Sequence, residues 1–398
     1  VAAGVGRPAP DPDGDQGSRI PSPGFREMDT MNRKDYLINK KQEGKHLLGV
    51  FPAQYPKEIL WAMDVVPAEI WDPPIKTTGA DSHLQPYICS VVRLGLELIL
   101  QGKCDFLDGF LFPHTCDSVQ NLASVVYDYL KPDKPCYFFY HPKAPYGEAT
   151  RDYYKAHLKE LVRSLEEQFG PLDEESLKFR IQQSGRISGL LSEIYDLRAK
   201  GELDASNTEF YRMIRLGEYM VPDDLIEELE AFLAQHRRLE TVSKTPVILS
   251  GVLPNPPEML SLLDKLGVRV ANDDLLNCSR RLLIPPCDSE DPYDYLTSRY
   301  FRMIPCSTRG SSISERMEYL SGLIDTTCAK GVIFNVVKFC EPEWFDVPNL
   351  REELKKRGVP ALVLDVELNQ GLPGQVATRV EAFIEIISSH TSPDHNED

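Results

Sequence analysis

From about residue 32 onward, short unbroken apolar runs alternate with segments of helical period, and this alternation limits the fold more than any other feature. HLLGVF (46–51), FLDGFLF (106–112) and CYFFY (136–140) read as buried strands. Between them, PKEILWAMD (56–64), YICSVVRLGLELILQG (87–102) and SVQNLASVVYDYL (118–130) carry apolar residues at helical spacing, the last capped by Asp117 or Ser118. The same rhythm returns in TPVILSG (245–251), a helix at 256–265, VRVAND (268–273), a helix over 312–329, GVIFNVV (331–337) and ALVLD (361–365). The last helix, 374–390, lines up Val380, Phe383, Ile384 and Ile387 on one face. Strands that are apolar throughout must be covered on both sides, and a parallel sheet between helices meets that requirement. The expected class is therefore α/β.

From about 148 to 238 the rhythm gives way to long charged helices with acidic runs such as DDLIEELE (223–230), which read as solvated faces. The expected organisation is a tail over 1–30, a first β/α domain over 31–147, a helical segment over 148–240, a second β/α domain over 241–390 and a short tail over 391–398. The first 25 residues are rich in Pro, Gly and Asp and are expected to be disordered and to add nothing to the fold. Met28 and Met31 stand just before the patterned sequence.

Acids outnumber bases 61 to 44 in 398 residues, and the net charge of −17 argues against nucleic acid or an anionic membrane as partner. No apolar stretch reaches the roughly 20 residues of a membrane span, and no secretory signal opens the chain, so a cytoplasmic protein is expected. Nine scattered cysteines, an odd number, do not suit a disulfide framework in a chain of this size. G-x-x-x-x-G-K-[ST], G-x-G-x-x-G after a strand, H-E-x-x-H, G-x-S-x-G and C-x-x-C are all missing, which sets aside ATP hydrolysis, a standard dinucleotide site and a zinc ribbon.

The chemistry then rests on dispersed thiols. A cysteine ordinarily behaves as a small buried hydrophobe. Cys136, opening a strand, fits that role, and Cys104 and Cys328 before their strands look structural. Cys278, Cys287 and Cys306 lie in loops and carry little signal. Cys89, Cys116 and Cys340 stand apart. The last two follow strand ends, where open parallel sheets bind ligands, and Cys89 opens the helix leading to the Cys116 strand. The halves echo each other here, since CDFLDGFLFPHTC and CAKGVIFNVVKFC each place a strand between cysteines twelve positions apart. Three thiolates without a fourth suit an iron–sulfur cluster with one open iron; a catalytic thiol with His114 as base is the competing reading.

The segment LQPYICSVVRLGLELILQGKCDFLDGFLFPHTCDSVQNL resembles the cluster-binding subunits of benzoyl-CoA reductase and of the 2-hydroxyacyl-CoA dehydratases. An aromatic-x-Cys before the long helix, D-F-L-D-G-x-L-F-P and Cys-Asp carry the resemblance. ANDDLLNCSR (271–280), the K-F-C of VVKFC and GQVATRVEAFIE (374–385) extend it to roughly residues 45–388. The resemblance implies two Rossmann- or flavodoxin-like β/α domains plus helices, with a 4Fe–4S cluster between them on Cys89, Cys116 and Cys340 and one open or non-cysteine position. It also implies a paralogous cluster-bearing partner subunit, a separate ATP-hydrolysing iron–sulfur activator and an acyl-CoA substrate reduced through a ketyl radical. D-F-L-D-G-x-L-F-P leans toward the benzoyl-CoA reductase subunit; a (R)-2-hydroxyacyl-CoA dehydratase and a non-catalytic electron-relay subunit remain the alternatives. Within it, His114 is the candidate proton donor, against a loop histidine bonded to backbone. Arg309, before a helix in STRGSS, is the candidate contact for a CoA phosphate, against a solvated loop arginine. Asp273, Asp274 and Arg280 are expected to link the second domain to the helices, and Arg379 and Glu381 to be structural. Gln54 and Tyr55 lie near the expected pocket without deciding between the reactions.

Overall fold

The computed structural model describes residues 32–389. The tails expected at 1–30 and 391–398 lie outside the described residues. Among those, two four-stranded sheets form, every pairing parallel, as the uninterrupted apolar strands require. The first holds β1 (His46–Val50), β2 (Val65–Glu69), β3 (Gly109–Pro113) and β4 (Cys136–Phe139) in the order β2-β1-β3-β4. The second holds β5 (Thr245–Gly251), β6 (Val268–Leu275), β7 (Val332–Val337) and β8 (Ala361–Val366) in the order β6-β5-β7-β8. The two orders are the same order. In each, the strand order reverses between the first and third strands, which opens a crevice beyond their carboxyl ends.

Around the first sheet lie α1 (Arg33–Gln42), α2 (Lys57–Ala62), α3 (Ser90–Leu100) and α4 (Asp117–Ser124), the last continuing as a π-helical turn over Val125–Leu130. A helical layer follows: α5 (Thr150–Phe169), α6 (Glu174–Lys200), α7 (Asn207–Arg215) and α8 (Pro222–His236). The second sheet carries α9 (Pro257–Lys265), α10 (Ser279–Leu282), α12 (Ile313–Thr327), α13 (Glu341–Lys356) and α14 (Gly374–Ser389), whereas α11 (Pro292–Phe301) packs back on the first half, placing Leu296 and Tyr300 in the core with Leu48 and Leu111. Val380, Phe383, Ile384 and Ile387 of α14 are buried, as their spacing requires. No helix among the described residues is long and apolar enough to cross a membrane.

Both faces of each sheet are covered. Leu47, Phe110 and Phe112 pack into one core while Leu48, Val50 and Leu111, pointing the other way, pack into a second. Ile248 and Phe334 do the same on the far face of the second sheet. The first core does not stop at the first sheet. It runs through Ile194 and Tyr195 of α6 to Val247 and Leu249 of β5, so the halves share one apolar interior.

Two local features depart from what the sequence leads one to expect. β2 is a strand despite Pro67; it lies at the sheet edge, where a residue without an N–H is tolerated. The cap of α4 is Cys116 itself, with Asp117 and Ser118 at the first two helical positions, because the chain leaves β3 through only three residues before turning helical.

Candidate functional site

Cys89, Cys116 and Cys340 occupy one and the same kind of position: each is the N-cap of a helix, α3, α4 and α13 respectively. None closes a capping hydrogen bond through its sulfur. The amides at the second and third helical positions nevertheless face the sulfurs and favour the thiolate: Val91 and Val92 for Cys89, Ser118 and Val119 for Cys116, Glu343 for Cys340. A helix N-terminus stabilises negative charge placed on its axis, so each of the three sulfurs sits where its own helix favours the thiolate.

The three thiols, from both halves of the chain, lie near enough for charge on one to act on another. Burial, then the charge of Cys116, pushes the Cys89 thiol up to about 12. Cys340 is raised by burial, then by Cys89, Glu343 and Cys116. Cys116 is raised by burial against its helix amides and Lys143. Without a bound cation these are neutral thiols, and any charge on one disfavours charge on the next. A cationic centre reverses that balance by deprotonating its sulfur ligands. Of the other cysteines, Cys104 is buried, Cys136 is half-buried and Cys328 is exposed at the C-cap of α12.

His114 lies half-buried two residues before Cys116, its Nε2 3.7 Å from Asp117 Oδ1 and its ring edge-on to Tyr140 at 5.9 Å. Burial, then Lys143, lowers its pKa below the ordinary histidine value. Arg309 is buried rather than solvated. Its Nη1 donates to Tyr300 O at 2.7 Å and its Nη2 to Met303 O and Ile304 O at 2.7 and 2.8 Å, which clamps the C-terminal end of α11. Arg379 donates to Val363 O at 2.8 Å and ties α14 to β8.

The loop leaving β1 lies at the switch point beside Cys116. Ala53 and Gln54 there have φ of 78° and 56°, unusual for residues with side chains. Thr115 Oγ1 holds the loop by donating to Pro52 O at 2.7 Å, and Gln54 Nε2 donates to Thr308 Oγ1 at 3.1 Å. Below this loop a cavity of about 80 Å³ is lined by Gln54, Tyr55, Lys57, Trp61, Arg281 and Tyr300, among others.

Sequence reasoning missed two buried charge clusters. Glu69, closing β2, accepts from Tyr55 OH at 2.9 Å, Lys57 at 2.7 Å, Arg281 at 2.7 Å and Trp71 Nε1 at 2.7 Å. Burial alone would raise its pKa, but Arg281 and Lys57 outweigh it and bring the carboxyl down to about 2. Burial takes Lys57 down to about 8. The second cluster joins Asp274, Arg280, Arg316, Glu343 and Asp346. Next to it, Asp273 accepts from Tyr195 OH at 2.7 Å and so links the second sheet to the helical layer as expected, whereas Asp274 and Arg280 bond to each other and, respectively, to Arg316 and Glu343 within the second half. One signal was available: acids inside otherwise apolar strands must find partners.

Comparison with known proteins adds the lineage. The family profile described as "2-hydroxyglutaryl-CoA dehydratase, D-component" matches residues 52–387. The chain is 23% identical over 366 residues to the (R)-phenyllactyl-CoA dehydratase beta subunit of Clostridium sporogenes, covering 89% of this chain and 96% of that one. It is 24% identical over 352 residues to one of the subunits of the benzoyl-CoA reductase of Thauera aromatica, with coverage of 86% and 91%. It is 24% identical over 361 residues to the beta subunit of the (R)-2-hydroxyglutaryl-CoA dehydratase of Acidaminococcus fermentans, with coverage of 88% and 95%. The family match opens in the loop after β1, takes in all three N-cap thiols and closes in α14, and the chain belongs to the 2-hydroxyglutaryl-CoA dehydratase D-component family.

Proposed function

We propose that this chain is the iron–sulfur subunit of an oxygen-sensitive acyl-CoA enzyme of the benzoyl-CoA reductase type, with Cys89, Cys116 and Cys340 holding a 4Fe–4S cluster that has no fourth cysteine. The observation that carries this reading is the convergence of three thiols, each at a helix N-terminus and each raised in pKa by burial. The donor set fits such a group in chemistry, since thiolate sulfur is its usual ligand and the helix ends offset the negative charge it brings. No group of three or more His, Cys, Asp or Glu among the described residues is drawn together tightly enough for a single metal ion, and a polynuclear cluster needs no such focus. When bound, a cluster of this kind supplies single low-potential electrons to an acyl group conjugated with its thioester.

The chain's own residues have three tasks in this reading. The thiols bind. The loop from Pro52 to Pro56, held by Thr115, covers the crevice and keeps water out. His114, next to the Cys116 ligand and half-buried, handles a proton at the acyl group. Arg309, the candidate contact for a CoA phosphate, has both terminal nitrogens committed to the carbonyls of Tyr300, Met303 and Ile304 and is assigned no task in the reaction. The resemblance implies that a paralogous subunit and a separate ATP-hydrolysing activator complete the assembly, which accounts for the absence of a phosphate-binding motif in this sequence. The relatives are themselves named as subunits, which supports a multi-subunit assembly.

Dehydration of a (R)-2-hydroxyacyl-CoA is the second reading, favoured by the family description and by the dehydratase names among the relatives. Anaerobic purification with iron and sulfide analysis and an EPR spectrum tests the common part. About one 4Fe–4S cluster per chain, lost in Cys116→Ser, is expected; stoichiometric zinc without iron overturns the reading. Assays with partner subunit and activator, benzoyl-CoA against a 2-hydroxyacyl-CoA, then choose the reaction.

A further inference from the structure

Behind Cys340 lies a group of charges that the proposed function does not use. The side chains of Arg280 and Arg316 are 0% and 1% exposed, and those of Asp274 and Glu343 are 3% and 1% exposed. They come from four elements. Arg280 of α10 grips Asp274 of β6 with two nitrogens, Nε at 2.5 Å and Nη2 at 2.9 Å, and reaches Glu343 of α13 with Nη1. Arg316 of α12 adds Asp274 at 3.1 Å and Asp346 of α13 at 2.6 Å.

Glu343 is the third residue of the helix that Cys340 caps, so whatever fixes Glu343 fixes the turn carrying that thiol. The contacts also continue into the other half. Ser307 Oγ donates to Glu343 Oε1 at 2.6 Å, and its neighbour Thr308 accepts from Gln54 Nε2 at 3.1 Å. Gln54 belongs to the loop whose Pro52 carbonyl accepts from Thr115 Oγ1, and Thr115 directly precedes Cys116. A path of hydrogen bonds and adjoining residues therefore runs from the turn of Cys340 to the turn of Cys116.

Buried ion networks add little net stability over apolar residues of the same volume, because desolvation offsets the Coulombic gain. What they do supply is geometry, and an arginine fork fixes it in a way a lysine point charge does not. We propose that this chain of contacts, centred on Arg280, is a positioning device that holds Cys340 in register with Cys116. The inference rests on those thiols being cluster ligands. Residues that orient ligands without touching the metal typically change metal affinity by about 10–100-fold.

The test uses the full-length chain reconstituted anaerobically with iron and sulfide, alongside Arg280→Lys, Thr308→Val and Thr308→Ser. The readouts are the rate of iron loss to a chelator and the EPR spectrum, with circular dichroism as the check on folding. Arg280→Lys and Thr308→Val are expected to lose iron roughly 10-fold faster with an altered spectrum, while Thr308→Ser, which keeps the hydroxyl, stays at the wild-type rate. Thr308→Val leaves the ion network intact and decides the matter if Arg280→Lys does not fold. Wild-type retention and spectrum in the folded variants overturn the positioning role alone. A wild-type chain that takes up no iron overturns the proposed function and this inference together.

Discussion

Replacing Glu69 by Gln isolates a buried carboxylate that two cations share. The substitution keeps shape and removes one charge from a fully buried carboxylate held by Arg281, Lys57, Tyr55 and Trp71. Removing one partner of a buried ion pair typically costs about 3–5 kcal/mol, because the other charge is left without compensation. Here the two cations respond differently. Lys57 already has its pKa lowered to about 8 by burial, and the charge of Glu69 is the leading influence holding it up. Without Glu69 it falls further, and the amine sheds its proton near neutrality. Arg281 cannot escape that way, since a guanidinium stays protonated in proteins. The loss at pH 7–8 is therefore set at about 3 kcal/mol by Arg281 alone, rising toward about 5 kcal/mol at pH 5, where the unpaired Lys57 is forced to carry its proton.

The assay is denaturant unfolding followed by tryptophan fluorescence, because Trp71 donates to Glu69 and Trp61 lines the adjoining cavity. The double variant Glu69→Gln, Lys57→Met should recover the extra loss at pH 5 and leave the Arg281 part. Asp64→Asn, which breaks an exposed pair with Lys45, sets the baseline at no more than about 1 kcal/mol. A Glu69→Gln loss under about 1 kcal/mol at pH 7, or one that does not change between pH 5 and 8, refutes this account.

Acid unfolding follows from the same carboxylate. Its pKa is depressed from the ordinary 4.5 to about 2 in the folded state, so it contributes stability that is complete above about pH 4.5 and lost as pH falls toward 2. The shift corresponds to about 3 kcal/mol, and the pH titration of unfolding should be shallower in this range for Glu69→Gln than for wild type. Gly251, at the end of β5, has φ of +146°, and a Cβ there would meet Asn335 O at 2.2 Å across the β5–β7 pairing. Gly251→Ala should lower stability by roughly 2–4 kcal/mol in thermal unfolding, whereas Gly358→Ala, with open space around it, should lose less than half as much.

Most of the framework was legible because it depends on local pattern. Apolar runs named seven of the eight strands, and the one missed, β2, was hidden by Pro67, which only an edge position tolerates. The thiols at 116 and 340 could be placed at strand ends because the strands themselves were readable. That all three thiols are helix caps could not, since polar residues beside Cys116 offered better caps by type, and the length of the β3–α4 connection decided otherwise. The buried ion clusters were illegible for another reason. Glu69 and Arg281 are 212 positions apart and pair only once the two halves have met, and Glu343 and Arg280, 63 apart, pair only once the second sheet is built.

The repeated sheet order gives the thiol arrangement its logic. β3 and β7 are third strands of equivalent sheets, with Cys116 and Cys340 following them and capping the next helix. Cys89 caps α3, the helix that leads into β3; its counterpart in the second unit is α12, which leads into β7 and is capped by Ser312. A duplicated unit with a full complement would present four cysteine caps, two from each half. This chain has three, and the hydroxyl at the fourth place is engaged in a capping box, Ser312 Oγ accepting from the Glu315 amide at 3.2 Å while the Glu315 carboxylate accepts from the Ser312 amide at 2.8 Å. The capped serine thus belongs wholly to its own helix. Of the four equivalent cap positions one therefore lacks cysteine, and under the proposed cluster reading that is the difference between a site with an open position and one closed by four thiolates.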